Sequence, residues 1–457
     1  LIFAAIIEVV GLGNSYRIMK QVLLHIVSFA CAANQRSTVL LLRPALNPFL
    51  KVLLTGCFLL LMTGCGNFIR YVKTKKAVRS GFVRQRNFVT AIPFKKEIGD
   101  KYIVEVTINA SPKKYRFILD TGALMVLSQQ AAEELSIIEK GKYKNINALN
   151  KHVRLDSVQL AGLTFYRPGT AILDLTGDSF LQCIGVDGMI GSAILRHHCW
   201  QFDHQRQLVT VSDRYESLVS DTAKLVLPMT VDGLHRPVVP LHFPNGTRKK
   251  FIVDIGSNSD FMTDDKALFA QLQKQSRYYT QFGWNGHGFY GDRFDTSYNA
   301  IVKNIKLATT PMDSIRVAFG SFRDDLVGWG FLNRYVITFD WNQRTLTLVA
   351  NKSAQSDEPL VSFGFSPFIQ KDTTSQKSYW TIGSIIEGSP AHQAGLKPRD
   401  RIVSVNGNEI SAVTNSCDLY SPTSRIYQEI NADTLQMEII GKNGKRQVQL
   451  TKARILF

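Results

Sequence analysis

Two stretches of this chain spell the same figure. Residues 113–128 read KKYRFILDTGALMVLS and residues 247–262 read TRKKFIVDIGSNSDFM. Each runs from basic residues through Phe, Ile and a branched apolar residue to Asp, a variable residue and Gly. Upstream of Asp120, KYIVEVTINASPKKYRFILD alternates apolar and polar residues on both sides of a turn at NASPKK. Upstream of Asp254, RPVVPLHFPNGTRKKFIVD does the same around Asn-Gly. A period of two identifies strands, so each aspartate ends the second strand of a β-hairpin. Helical stretches follow, SQQAAEELSI and TDDKALFAQLQKQ, with Ser128 and Thr263 at the expected N-caps. Further on, GVDGMIGSAILRHHCWQFDHQRQLVTV matches DLVGWGFLNRYVITFDWNQRTLTLV: an apolar-Gly knot, a short helix, a strand ending in Phe-Asp, and a last strand. Residues 98–213 and 228–350 are therefore two copies of one β-rich unit. Two copies suggest a pseudo-twofold pair, since a solenoid needs at least about three repeats.

A chain of 457 residues with 45% apolar and 20% charged content is globular and long enough for two or three cores. A third unit, residues 358–452, follows the polar linker ANKSAQSDE and closes with a hairpin at Lys442-Asn443-Gly444. The formal charge of +17 raises nucleic acid as a partner. Lys and Arg are spread without a stripe interleaved with aromatics, so no nucleic-acid partner is expected, and an anionic membrane surface accounts for the charge as well.

Residues 1–64 are read as an upstream extension and an export signal, and 65–97 as a tether. LKVLLTGCFLLLMTGCGN has a basic residue, about a dozen apolar or small residues, and a small residue before cysteine. Spanning a bilayer takes roughly 20 apolar residues, so this segment is too short. Met62-Thr63-Gly64-Cys65 resembles the lipobox of bacterial lipoproteins, which implies a lipid on Cys65, a membrane anchor, and a place in the cell envelope. Cys57 is the alternative lipid site: its letters match better, but it leaves little apolar stretch after Lys51.

Downstream, Cys183, Cys199 and Cys417 are too few and too irregular for a disulfide framework or a zinc ribbon. Cys183 and Cys199 either pair or remain two buried thiols. His197, His198, Cys199 and His204 have metal-binding composition, but strand neighbours point to opposite faces, so no metal site is expected. No other cofactor is expected.

The chemistry lies with the two aspartates. A pseudo-twofold would bring Asp120 and Asp254 together on its axis. Two carboxyls in contact cannot both ionise, so they share a proton and one keeps a raised pKa. The ionised partner can then take a proton from water while the protonated one polarises a carbonyl. Gly122 and Gly256 permit a tight loop beside each carboxylate, and Ala123 and Ser257 are small enough to leave room for a substrate chain.

The segment FILDTGA resembles the catalytic loop of retropepsin-like aspartic peptidases, and DGMIGSAIL and VGWGFLN resemble the Gly element that cradles that loop. The resemblance covers both copies. It implies two acid-protease β lobes with one catalytic aspartate each, Asp120 and Asp254, supported by Thr121, Gly122, Ala123, Ile255, Gly256 and Ser257. It also implies a flap over the cleft, for which FGWNGHGFYGD (residues 282–292) has the glycine content. With both lobes in one chain, a monomer suffices. Ile255 departs from the pattern, which has Thr or Ser there to hydrogen-bond across to the opposite loop. A buried hydroxyl bond is worth about 1 kcal/mol net, so its loss need not unfold the site. Misplacing the dyad by about an ångström can nonetheless cost on the order of a hundredfold in rate. Peptide hydrolysis and peptide binding without cleavage therefore both stand as functions.

EGSPAHQAGLKPRDRIVSVNGNEI resembles bacterial PDZ domains. That implies a loop at Phe363, Gly364 and Phe365 that receives a peptide C-terminus or an unstructured segment along the sheet edge. The bland alternative is a small β domain docked on the lobes without a ligand.

Overall fold

Each strand leading to an aspartate ends in an apolar run, Phe117–Leu119 and Phe251–Val253, because that end is buried on both faces. The computed structural model describes residue 72 and residues 74–456, except 97, 142–150, 221–223, 289–290, 352–359, 373–376, 411–412 and 414. Cys57, Cys65, the export signal and the extension before it lie outside the described residues, as does nearly all of the linker. By contacts the chain divides after Lys73, and the unit Thr74–Phe457 holds every element named below. Among the described residues, no helix is long and apolar enough to cross a membrane.

The first lobe begins with β1 (Val89–Pro93), β2 (Tyr102–Ile108) and β3 (Tyr115–Leu119). Asn109 and Ala110 turn the β2–β3 hairpin with positive φ, and the Asn109 side chain accepts from the amides of Asp156 and Ser157. Next come β4 (Val126–Ser128), α1 (Gln129–Glu134), β5 (Gly169–Leu173), α2 (Ser179–Ile184) and β6 (Gly188–Ile190). Strand β6 lies between β3, parallel to it, and β4, antiparallel to it, while β5 joins β4 in parallel. The lobe ends with β7 (Cys199–Asp203) and β8 (Leu208–Ser212).

The second lobe repeats the plan. It runs β9 (Leu225–Pro228), β10 (Pro237–His242), β11 (Arg248–Val253), β12 (Phe261–Thr263) and α3 (Lys266–Leu272). A long hairpin follows, β13 (Arg277–Gly288) and β14 (Gly291–Leu307). Then come β15 (Thr310–Phe319), β16 (Leu326–Val327), β17 (Tyr335–Asp340) and β18 (Thr345–Ala350). Strand β16 is parallel to β11 and antiparallel to β12, and β15 is parallel to β12. These pairings are those of β6, β3, β4 and β5.

The lobes meet in a six-stranded sheet of order β9-β18-β17-β7-β8-β1. Its middle pair, β7 and β17, sets Trp200 opposite Phe339, both with no exposed surface. One hydrophobic core runs through both lobes and includes these two rings.

The third unit contains β19 (Phe365–Lys371), β20 (Ser378–Ile386), a short helix at Pro390–Gln393 capped by Ser389, and β21 (Arg401–Val405). It closes with the helix Arg425–Glu429 and the hairpin β22 (Thr434–Gly441) and β23 (Gly444–Thr451). It has its own core, including Ile382, Val405, Leu435 and Ile439.

Four details differ from the sequence-based expectations. The stretch assigned to the tether supplies strands at Phe82–Val83, Val89–Pro93 and Lys95–Lys96, because lobe edges in need of partners recruit it. The α3 cap is Asp265, whose carboxylate accepts from the Leu268 amide; Thr263 is buried in β12. His197 and His198 lie in the turn before β7, not on a strand. His198 packs edge-on to Phe88 while His204 bonds the Tyr102 hydroxyl at 2.7 Å, and no metal-binding cluster occurs among the described residues. Finally, Cys183 pairs with Cys417, 234 residues away, and not with Cys199. Cys199 is a buried free thiol, pushed up to about 12 by burial and by Asp340.

Truncating the ring at the lobe junction tests the shared core. Phe339→Ala should cost about 3–5 kcal/mol, read as a lower urea midpoint at unchanged slope.

Candidate active site

Strands β3 and β11 each stop at an aspartate held by the neighbouring Gly element. The Asp120 amide donates to the Ile190 carbonyl at 3.0 Å, and the Asp254 amide to the Val327 carbonyl at 2.8 Å. The loops then fold back so that each carboxylate accepts from its own glycine, Asp120 from the Gly122 amide and Asp254 from the Gly256 amide, both at 2.8 Å. The cradle is equally symmetric: Ser192 N–H donates to the Ala123 carbonyl at 3.0 Å and Trp329 N–H to the Ser257 carbonyl at 2.8 Å. A Cβ on Gly191 would lie 2.2 Å from the Ala123 carbonyl, and one on Gly328 would lie 2.4 Å from that of Ser257.

Gly122 and Gly256 are needed for a crossed contact. A Cβ on Gly122 would lie 2.5 Å from Cγ of Asp254, and one on Gly256 would lie 2.4 Å from Cγ of Asp120. Any side chain at either position would collide with the opposite lobe's carboxyl. The two glycines thus let the aspartates meet, and their carboxyls share a hydrogen bond. Burial raises Asp120 well above the usual carboxylate range, helped by the Asp254 charge and by that hydrogen bond. Burial raises Asp254 too, but the bond from Asp120, the Lys101 ammonium and the Gly256 amide pull it back. Both carboxyls are thus held above the usual range, as a pair that cannot ionise together.

The clasp between the loops is one-sided. Thr121 Oγ1 donates to the Val253 carbonyl at 2.6 Å and accepts from the Ile255 amide at 3.0 Å. Ile255 has no hydroxyl to return these bonds to Leu119 and Thr121. It is instead fully buried in the core that both lobes share.

Lys101, which sequence reasoning passed over, adds a further tie from the first lobe. Its Nζ donates to the Gly256 carbonyl and to Asn258 Oδ1 (3.1 Å), while Asn258 Nδ2 donates back to the Gly99 carbonyl at 2.9 Å. Burial lowers the Lys101 pKa against the pull of Asp254 and Asp120. A signal was present: Arg236 stands two residues before Val238, as Lys101 stands before Ile103, and these two pair with Ile252 and Ile118 in matching register. Arg236 turns to Asp232 at 2.7 Å and Asp324 at 3.5 Å within its own lobe.

A cavity of about 320 Å³ is lined by Asn258–Met262, which follow the Asp254 loop, and by Tyr279, Gln281, Asn285, Ser297 and Asn299 of the β13–β14 hairpin; neither aspartate lines it. Leu360, three residues before the third unit's loop at Phe363–Phe365, also lines it. Gly364 has φ +82, and a Cβ there would lie 2.0 Å from that of Ser389. Its amide donates to Ser362 Oγ, and the Phe363 carbonyl accepts from Ala391 N–H. Phe365 begins β19, which pairs only with β20 among the described residues.

The raised Asp120 pKa fixes the sign of a stability effect. A carboxyl that binds its proton more tightly when folded favours the native state below its unfolded pKa, near 3.9, and loses that contribution as pH rises through its folded pKa. Asp120→Asn should therefore melt a few degrees higher than the parent at pH 7, and the difference should close toward pH 3.5 in a calorimetric series.

Comparison with known proteins comes to the same two parts of the chain. Residues 104–194 match the aspartyl protease family model, and residues 381–419 match that of the PDZ domain. No curated protein matches by sequence. Similar solved structures include an aspartic proteinase from Irpex lacteus, with TM-score 0.36 and 12% identity over 59% of this chain and 99% of that one. A retropepsin-like aspartic protease from Rickettsia conorii has TM-score 0.22 and 20% identity over 27% of this chain and 90% of that one. The first lobe is thus similar to the aspartyl proteases over residues 104–194, and the same chain carries a PDZ-type domain near its C-terminal end.

Proposed function

We propose that the paired lobes are an aspartic endopeptidase, with Asp120 and Asp254 as its catalytic dyad. The observation that carries this is the crossed contact, in which each loop glycine leaves room for the opposite lobe's carboxyl so that the two acids meet. Asp254, as carboxylate, takes a proton from a water whose oxygen adds to the scissile carbonyl carbon. Asp120 gives its proton to the carbonyl oxygen; as the gem-diol collapses, Asp254 passes the proton it took from water to the departing amide nitrogen and Asp120 takes one back from a diol hydroxyl. The residues with the strongest claim to position the dyad are Thr121, Gly122, Gly256 and Lys101, and no cofactor is invoked. The PDZ domain takes up an extended or C-terminal peptide segment along the free edge of β19. The lipobox-like Met62–Cys65 supports a lipid anchor on Cys65 and a place in the bacterial cell envelope. Both aspartates come from one chain, so a monomer is the proposed active form.

A second reading has one specific observation in its favour. Ile255 leaves the clasp half made, as in a cleft that holds peptides without cutting them.

The experiment is cleavage of a mixed peptide library from pH 3 to 8 by the purified protein, with Asp120→Asn beside it. Cuts that vanish in the variant are the expected result. Absence of cuts by well-folded parent protein would transfer the cleft to peptide binding. If cleavage is found, the Lys101 cation gives a further prediction. Lys101→Met removes a positive charge that lowers both carboxyls, so the acid limb of kcat/KM should move to higher pH, and Lys101→Arg should leave it near the parent's position.

A further inference from the structure

The β13–β14 hairpin is fastened to two bodies outside its own lobe. One is the PDZ domain. Gln281, Phe282 and Gly283 pair with Ile386, Ile385 and Ser384 of β20, and the Glu387 amide donates to the Thr280 carbonyl at 2.9 Å. Gly283 has φ +102, and a Cβ there would lie 2.3 Å from the Gly383 carbonyl, so the strands approach as closely as glycine allows. Trp284 and Phe294 of the hairpin both meet Phe368 of β19, at 5.3 and 5.2 Å between ring centres. Trp284 packs against the PDZ core itself. Shared sheet and shared core thus join the outer half of the hairpin to the PDZ domain, while the base of β14 stays paired with β15 in the second lobe.

The other attachment is α2 of the first lobe. His287 Nε2 meets Asp178 Oδ2 at 3.1 Å while its Nδ1 meets Asp292 at 3.1 Å, and Asp178 also caps α2. The pair is well shielded, at 11% and 14% exposed. Burial alone would pull His287 down, but its bonds to Asp178 and Asp292 hold it up at about 9, so it is charged at neutral pH. One turn further along α2, Cys183 is bonded to Cys417 of the PDZ domain, and Ser179 Oγ meets the Tyr420 hydroxyl at 3.1 Å. Phe180 fills the space between, 6.1 Å from His287 and 5.0 Å from Tyr420.

The space beneath the hairpin is small. Six extended residues span roughly 20 Å, and a cavity of about 320 Å³ is near the lower bound for a small-molecule pocket. Neither aspartate lines that cavity, but the hairpin crosses from the second lobe to α2 of the first, where Phe180 lies 5.6 Å from the Lys101 ammonium that bonds the Gly256 carbonyl. It thus spans the gap between the lobes beside the two acids. We propose that hairpin and PDZ domain form a single gate over the cleft, latched to α2 by Cys183–Cys417 and Asp178–His287, so that the PDZ domain controls access to the dyad. This rests on the cleft being a peptide site, and its test is independent of catalysis.

Nitroxide labels are placed on unnatural ketone residues at the exposed positions 140 and 397, one on each side of the latch, and their separation is measured by pulsed electron resonance in the full chain. The parent should give one narrow distance. Cys183→Ser with Cys417→Ser, and separately Asp178→Asn with His287→Gln, should each broaden it toward longer distances. The second pair keeps the disulfide and carries the test if the first fails to fold. Unchanged distances in folded variants would overturn the gate, whatever the activity. Broadened distances without peptide cleavage would uphold the gate while removing the peptidase function. With cleavage present, kcat/KM should rise about tenfold on unlatching; a fall with unchanged distances would mean a structural staple only.

Discussion

Two carboxyls pressed together from different lobes are the constraint to which the rest of this fold answers. Like charges in a poorly solvated site repel, so contact requires that one acid keep its proton. Contact also requires backbone without side chains at two points, and Gly122 and Gly256 provide it crosswise, each beside the other lobe's aspartate. The six-stranded sheet between the lobes holds that arrangement, because its central pair of strands joins the closing hairpins of both. Displacement there would part the carboxyls and end the sharing of the proton.

The two halves do unequal work within this symmetric frame. The first lobe reaches across with Thr121 and Lys101 and grips the second lobe's loop at Val253, Ile255, Gly256 and Asn258. The second lobe returns only apolar packing through Ile255 and the Asn258 amide bond to Gly99. The charges are unequal as well. Lys101 lies near both acids, while its counterpart Arg236 is neutralised by two aspartates of its own lobe. That inequality leaves Lys101 as the nearer cation to both acids.

Much of this could be read from residue order, because it depends on local periodicity and on repetition. Alternating burial exposes itself as alternating hydrophobicity, and the Asp-x-Gly figure occurs twice with the same surroundings. The strand Val89–Pro93 escaped notice because five residues at a sheet edge carry a weak pattern. The α3 cap was misplaced by two residues because Thr263, Asp264 and Asp265 can all cap, and only burial of Thr263 in β12 decides among them. Lys101 resembles any surface lysine until the other lobe's loop is brought to it. Cys183 and Cys417 have no local sign of partnership, being 234 residues apart on separate domains.

By itself, then, the sequence determined the hairpins that deliver the aspartates, that the unit occurs twice, where each aspartate stands and that a PDZ-like unit follows. These are consequences of side-chain period and backbone preference over a few residues. Only the tertiary structure decided which groups meet: that the two acids touch crosswise, which lysine lies beside them, which cysteines bond, and that the β13–β14 hairpin pairs with β20 of the third unit. Those outcomes depend on distances between residues more than a hundred positions apart, set by how whole sheets pack, and no local stretch of sequence encodes them.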